Sequence, residues 1–156
     1  MAEDIKNESP ERRAELGQVD RYRFSVTFPG APYGPLVVDE PPPVGGDAGP
    51  SPAHSLATAV GHCLSSTFYN TLQRAHVRTT AIRTTVDVEM GLNARGRRRV
   101  RRMTVEIQTQ LLDESDRERF NRSVEVFEEY CPVSGAVREG VTIESRVAAS
   151  AAPPAD

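Results

Sequence analysis

The 156-residue sequence contains no tryptophan, only four tyrosines and five phenylalanines, and only two cysteines. Sparse aromatics argue against a stacking platform for single-stranded nucleic acid. Two cysteines cannot build a secreted disulfide framework, so the expected setting is reducing and cytoplasmic. No apolar run approaches the roughly 18 residues a membrane span needs. The first twenty residues, MAEDIKNESPERRAELGQVD, lack the apolar core of a signal peptide. Strong charge of one sign is also missing. A formal net charge of −3 gives no global pull toward nucleic acid or an anionic membrane.

What remains is one domain with polar ends. Residues 1–19 are charge-mixed and polar, and 149–156 offer nothing to bury, so both are expected to be disordered tails around a folded domain at 20–148. Burial in a fold of this size is modest, and a dimer that covers more surface is a natural remedy.

RYRFSVTF alternates, with Tyr22, Phe24, Val26 and Phe28 on one face and Arg21, Arg23, Ser25 and Thr27 on the other, which reads as a half-buried strand. PGAPYG turns the chain and PLVVDE returns as a strand. PPPVGGDAGPSP is too rich in Pro and Gly for a regular element. Ser51-Pro52 then opens a helix, as N-cap and first helical residue, that runs to about Ala75. At about 100° per residue, Leu56, Ala59, Val60, Cys63, Leu64, Phe68 and Leu72 cover a broad apolar arc, predicting a central helix covered on more than one side. Cys63 lies inside that arc, near its edge.

IRTTVDVEM and RMTVEIQTQLL are two more strands, joined by GLNARGRRRVR. Ser115-x-x-Glu118 has the form of a capping box and predicts a helix to about Tyr130, whose stripe of Phe120, Val124 and Phe127 points toward Cys131. Pro132 would begin a third, short helix with Cys131 at or beside its N-cap, and Gly140 would end it. VTIESRV alternates as a last strand. The order predicts an α+β fold with antiparallel sheet and helices packed on it.

Arg95–Arg102, RGRRRVRR, places six arginines in eight residues. Its hairpin position favours a solvated loop over a phosphate grip, and nucleic acid is not an expected partner. His54, His62, His76 and the cysteines fall into no zinc spacing, so no metal is expected. No Walker or Rossmann glycine pattern is present, and no cofactor is implied.

Three features together resemble the OsmC/Ohr family of thiol-dependent peroxide reductases. They are the Gly-Pro-Ser-Pro approach to the first helix, Cys63 eleven residues after Pro52, and Cys131-Pro132-Val133 opening the late helix. The likeness covers about residues 20–148. Ala53 stands where the organic-hydroperoxide branch has a glutamate, and PGAPYG lacks that branch's hairpin arginine, so the sequence is more similar to the broader OsmC-like branch. The resemblance implies an intertwined homodimer with two long central helices per subunit between antiparallel sheets, and thiols that meet near the subunit interface. It also implies a hydroperoxide substrate and an external dithiol reductant, lipoyl-type or another thiol.

In that light the two cysteines divide one reaction. A thiol of pKa about 8.5 is only a few per cent thiolate at neutral pH. Cys63 lies about three turns into its helix, beyond reach of the helix N-terminus, and its apolar neighbours raise its pKa. A cation from elsewhere is needed, and Arg23 or Arg21 on the first strand are the candidates. Cys131, at a helix start, is favoured as thiolate and leaving group. Cys63 is therefore expected to attack the peroxide and become a sulfenic acid, with Cys131 as resolver. The alternative is a non-catalytic module that binds a small apolar ligand, or an anionic partner through Arg95–Arg102.

Overall fold

The computed structural model describes residues 12–149. Three strands, β1 (Glu15–Asp20), β2 (Arg23–Thr27) and β3 (Leu36–Val38), form an antiparallel sheet in the order β1-β2-β3. Leu16 pairs with Val26 and Gln18 with Phe24. Within β2, Val26 is buried and Phe24 half-buried, as the alternation predicts; Tyr22, in the β1–β2 turn, is exposed. β1 itself corrects the expectation of a structureless stretch to residue 19. Every side chain of β1 is exposed. Its order comes from backbone pairing with β2, which leaves no hydrophobic periodicity to read. The rest of the two expected tails, residues 1–11 and 150–156, lies outside the described residues.

After β3 the Pro/Gly-rich loop is organised by one carboxylate. Asp39 is buried and accepts hydrogen bonds from the backbone N–H of Glu40 (2.8 Å), Gly46 (3.1 Å) and Ala48 (3.2 Å). Arg23 Nε lies 3.6 Å from its Oδ2. Gly45 and Gly49 are required here: a Cβ would fall 2.1 Å from the carbonyl oxygen of Glu40 or of Val37, respectively.

α1 (Pro52–Arg74) follows as expected, its first turn capped by Ser51 Oγ, which accepts from the N–H of His54. It ends in a Schellman arrangement. Val77 N–H reaches Leu72 O at 2.9 Å and His76 N–H reaches Gln73 O at 3.1 Å, with His76 at φ 54°. Leu72 and Val77, which this ending ties together, are the most buried large side chains among the described residues.

β4 (Arg83–Leu92) and β5 (Arg98–Gln108) form a two-stranded sheet. The turn between them is held by Asn93, whose Oδ1 accepts from the N–H of Arg95 and of Arg97 at 3.0 Å each. The arginine run is thus only partly a loop, because Arg98–Arg102 belong to β5; its arginines are exposed all the same. A 3-10 turn (Glu114–Asp116) leads into α2 (Arg117–Val126), a second 3-10 turn (Phe127–Tyr130) and α3 (Pro132–Glu139), which ends at Gly140 with φ 84°. The N-terminal cap before α2 is Asp113, accepting from Ser115 N–H at 2.9 Å, in place of the expected Ser115 box.

The chain divides into two compact units. The first holds the described residues to Gly61 with Thr85–Glu106; the second holds His62–Thr84 and the residues from Ile107 onward. In the first, Val26, Ala57 and Val60 are buried. In the second, Leu64, Phe68, Leu72, Val77 and Phe127 are buried. Phe68 sits against Phe127 (ring centroids 5.0 Å) and Phe120 (5.9 Å).

This is a mixed α+β architecture with small antiparallel sheets. Two expectations need correction. Among the described residues only α1 is long, because the second helical segment breaks into α2, a 3-10 turn and α3. Residues 141–149 carry no regular structure, and Val141, Ile143 and Val147 are exposed. An alternating sequence becomes a strand only where an edge accepts its hydrogen bonds. Among the described residues no helix is long and apolar enough to cross a membrane.

Candidate active site

Cys63 and Cys131 both lie in the second unit and are both free thiols. Their sulfurs are in hydrogen-bond contact at 2.9 Å although 68 residues separate them in the chain. Cys63 comes from the fourth turn of α1, on the edge of its buried face, and is half-buried. Cys131 is the N-cap of α3 and is 3 % exposed. Its extended backbone (φ −88°, ψ 104°) and Pro132 at the first helical position turn its side chain back over the helix start. There its Sγ accepts from Ser134 N–H at 3.5 Å. The stripe that leads to it is Phe120, Ser123 and Phe127, not the expected Phe120, Val124 and Phe127: Ser123 is buried, its Oγ bonded to Arg119 O at 2.9 Å, while Val124 is exposed. An apolar-only pattern could not reveal this, because the serine hydroxyl satisfies itself on its own helix.

The two thiols titrate in opposite directions. Burial pushes Cys63 up, and its contact with Cys131 pushes it further, against weaker help from Val133 N–H and the Thr67 hydroxyl. Burial also opposes the Cys131 thiolate. Hydrogen bonds from Cys63, from the Ser134 hydroxyl and N–H, and from Val133 N–H outweigh it and hold Cys131 below the ordinary thiol value. The two thiols therefore titrate as a coupled pair, in which loss of the proton is favoured at Cys131 and opposed at Cys63.

Arg23 and Arg21, expected to activate Cys63, belong to the first unit. Arg23 pairs with Asp39, and Arg21 sits in the β1–β2 turn with φ 44°. Within the second unit, the positive pole beside the sulfurs is the start of α3: the N–H groups of Val133 and Ser134. The site residues missed from sequence are thus Thr67, Val133 and Ser134. Thr67 was findable, since it stands one helical turn from Cys63. The role of α3 toward Cys63 was not, because it depends on a long-range contact. Among the described residues no group of His, Cys, Asp or Glu has the arrangement of a metal site.

Comparison with known proteins agrees with this architecture. The model of the OsmC-like protein family matches residues 45–146. An OsmC-like protein of unknown function from Vibrio cholerae superposes with a TM-score of 0.67 at 12% identity, covering 82% of this chain and 94% of that one. An organic hydroperoxide resistance protein from Elizabethkingia anophelis gives 0.61 at 19% identity, covering 82% and 88%. One from Legionella pneumophila gives 0.59 at 18% identity, covering 82% and 89%. No curated protein matches the chain in sequence. With two thiols set on a long helix and a late helix start, and with the family model spanning most of the described residues, the chain belongs to the OsmC-like protein family.

Proposed function

We propose that the protein is a cysteine-based peroxidase that reduces organic hydroperoxides or hydrogen peroxide. The observation that carries this reading is a half-buried Cys63 with its sulfur 2.9 Å from a buried Cys131 that caps a helix. The accessible thiol meets the peroxide, and the buried one holds the charge. As the peroxide approaches, Cys63 passes its proton to the Cys131 thiolate. The Cys63 sulfur then attacks the peroxide oxygen, the O–O bond breaks, and the departing alkoxide takes the proton from Cys131. Cys63 is left as a sulfenic acid. Cys131, again a thiolate, attacks that sulfur and expels hydroxide, which takes a proton from solvent. The products are a Cys63–Cys131 disulfide, one water and one alcohol, a second water taking the alcohol's place when the substrate is hydrogen peroxide. An external dithiol restores both thiols by two exchange steps and leaves as its own disulfide. No step requires Arg21 or Arg23.

A homodimer belongs to the same reading. Val141, Ile143 and Val147 alternate along an exposed C-terminal segment, and Tyr69 is exposed on α1. A second copy of the chain would cover such surfaces.

The test is a thiol count before and after one equivalent of an organic hydroperoxide. Wild type should lose both thiols. Cys63→Ser should consume no peroxide, and Cys131→Ser should give one oxidation event, a trappable sulfenic acid at Cys63, and no turnover. Peroxide consumption by Cys63→Ser at the wild-type rate would overturn the assignment.

A further inference from the structure

The second unit contains a cleft of about 620 Å³ between the C-terminal half of α1 and α2. Three arginines line it, Arg74, Arg119 and Arg122, together with Asn70 and Tyr130, and no carboxylate does. The arginines are not equivalent. Arg119 is fixed, bonded to Asp116 and reaching Ala75 O at 3.3 Å. Arg122 holds Glu118 at 2.6 Å on the exposed helix surface, a pair of the kind that exchanges readily with another anion. Arg74 has no ion-pair partner among the described residues. The cleft is thus a pair of available guanidiniums beside a fixed third one.

Its position relative to the thiols is set by α1. Cys63, Thr67, Asn70 and Arg74 stand at i, i+4, i+7 and i+11, within about 40° of one line along the helix. At 1.5 Å per residue, Asn70 and Arg74 lie about 10 and 16 Å from Cys63 along the axis. At the cleft's other side Tyr130 precedes Cys131 directly, and its ring is exposed. Neither cysteine lines the cleft, but it lies along the same line of α1 as Cys63 and holds the residue that precedes Cys131.

We infer that Arg74 and Arg122 form an anion subsite that takes the carboxylate of a molecule whose other end reaches Cys63 and Cys131. Guanidinium forks match carboxylates in a planar, two-bond geometry, which a lysine would not supply. The anion subsite stands on the cleft alone; that its occupant reacts at the thiols rests on the peroxidase reading. Two carriers share this chemistry, a carboxylated hydroperoxide and a carboxylated dithiol reductant.

The experiment begins with binding, independent of turnover. Hexanoate and hexanol are titrated into the reduced full-length protein while backbone amide resonances of residues 70–75 and 119–130 are followed. Hexanoate should bind about tenfold more tightly than hexanol, and Arg74→Gln/Arg122→Gln should abolish that difference. Arg74→Lys/Arg122→Lys, which keeps the charge but loses the fork, should restore only part of it. Equal binding of the two probes, or a hexanoate preference that survives in the Gln variant, overturns the subsite.

Kinetics then identify the carrier. A carboxylated hydroperoxide is compared with its methyl ester, and dihydrolipoate with dihydrolipoamide. A lower KM for the acid in the first comparison, lost in the Gln variant with kcat kept, assigns the site to the substrate. The same result in the second assigns it to the reductant. Anion binding with no KM difference in either overturns its link to the thiols. A protein that binds hexanoate as expected but oxidises with no peroxide keeps the subsite and loses the peroxidase reading.

Discussion

Cys131 Sγ lies 2.9 Å from Cys63 Sγ, and the two sulfurs face opposite electrostatics across that gap. Burial and the neighbouring sulfur raise Cys63, while hydrogen bonds from Cys63 and the start of α3 lower Cys131 against the effect of burial. The absorbance of thiolate near 240 nm should therefore rise in two steps as pH increases. The first step falls below the ordinary thiol range of about 8.5, and the second above it. Cys131→Ser should leave a single step, moved down from the upper one, because the partner's charge is gone while the burial of Cys63 remains. A single two-proton step at the ordinary thiol value in wild type would remove the charge division on which the proposed chemistry depends.

Ser134 should be the residue through which α3 holds the Cys131 thiolate. It is buried at the third position of the helix, its N–H points at Cys131 Sγ, and its hydroxyl lies 3.4 Å from the Cys131 carbonyl oxygen. The hydroxyl and the N–H both hold the Cys131 thiol below its ordinary value, because a donor to the sulfur stabilises the charged form. Ser134→Ala should raise the lower thiolate step and slow alkylation by iodoacetamide at neutral pH severalfold. Ser134→Thr should restore both. A purely structural role would shift thermal stability and leave the thiolate titration in place.

Asp39 organises the loop before α1, and its protonation should weaken the fold at acid pH. Burial raises its pKa, but the N–H groups of Ala48, Glu40 and Gly46 and the Arg23 guanidinium outweigh this and hold it below the usual carboxylate value. A depressed pKa contributes stability that is complete above the unfolded value of about 3.9 and is lost as pH falls through the folded one. Asp39→Asn keeps the shape and removes the charge. It should lower the urea midpoint at pH 7 and flatten the loss of stability below about pH 4. Parallel pH profiles for the two proteins would mean that the carboxylate is not the group that titrates.

Particular residues explain how far the sequence carried the fold. Ser51-Pro52 and Cys131-Pro132 announce helix starts through local rules, and both stand where expected. Gly140 ends α3 for the same reason. β1 was invisible because its order is entirely backbone pairing. The Asp39 loop was invisible because a carboxylate that collects amide groups seven and nine residues away leaves no periodic mark. The last strand failed in the opposite direction, since VTIESRV has the pattern of a strand but pairs with no sheet edge among the described residues. At the site, the types of residue were legible and their partners were not. Arg23, read from the sequence as a cation for Cys63, has a partner in its own unit, Asp39, that no local pattern announced.

Phe68 should couple core packing to thiol chemistry. It is buried, projects from α1 five residues beyond Cys63, and touches Phe127, whose 3-10 turn leads directly into Cys131. The ring thus sets the spacing between the helix that carries one sulfur and the segment that carries the other. Phe68→Leu removes the ring contacts but keeps an apolar side chain, and should cost roughly 1–2 kcal/mol, well short of the 3–5 kcal/mol of a full truncation. The fold should survive, so the second readout can be made. Disulfide formation after one equivalent of hydroperoxide should slow more than the initial loss of peroxide, because the second step forms a bond between the two sulfurs and needs them in register, whereas the first asks of Cys131 only that a proton pass across the gap. Stopped-flow consumption of peroxide against quenched-flow counting of thiols separates the two. If both steps keep their wild-type rates while stability falls, Phe68 supports the core without setting the sulfur spacing.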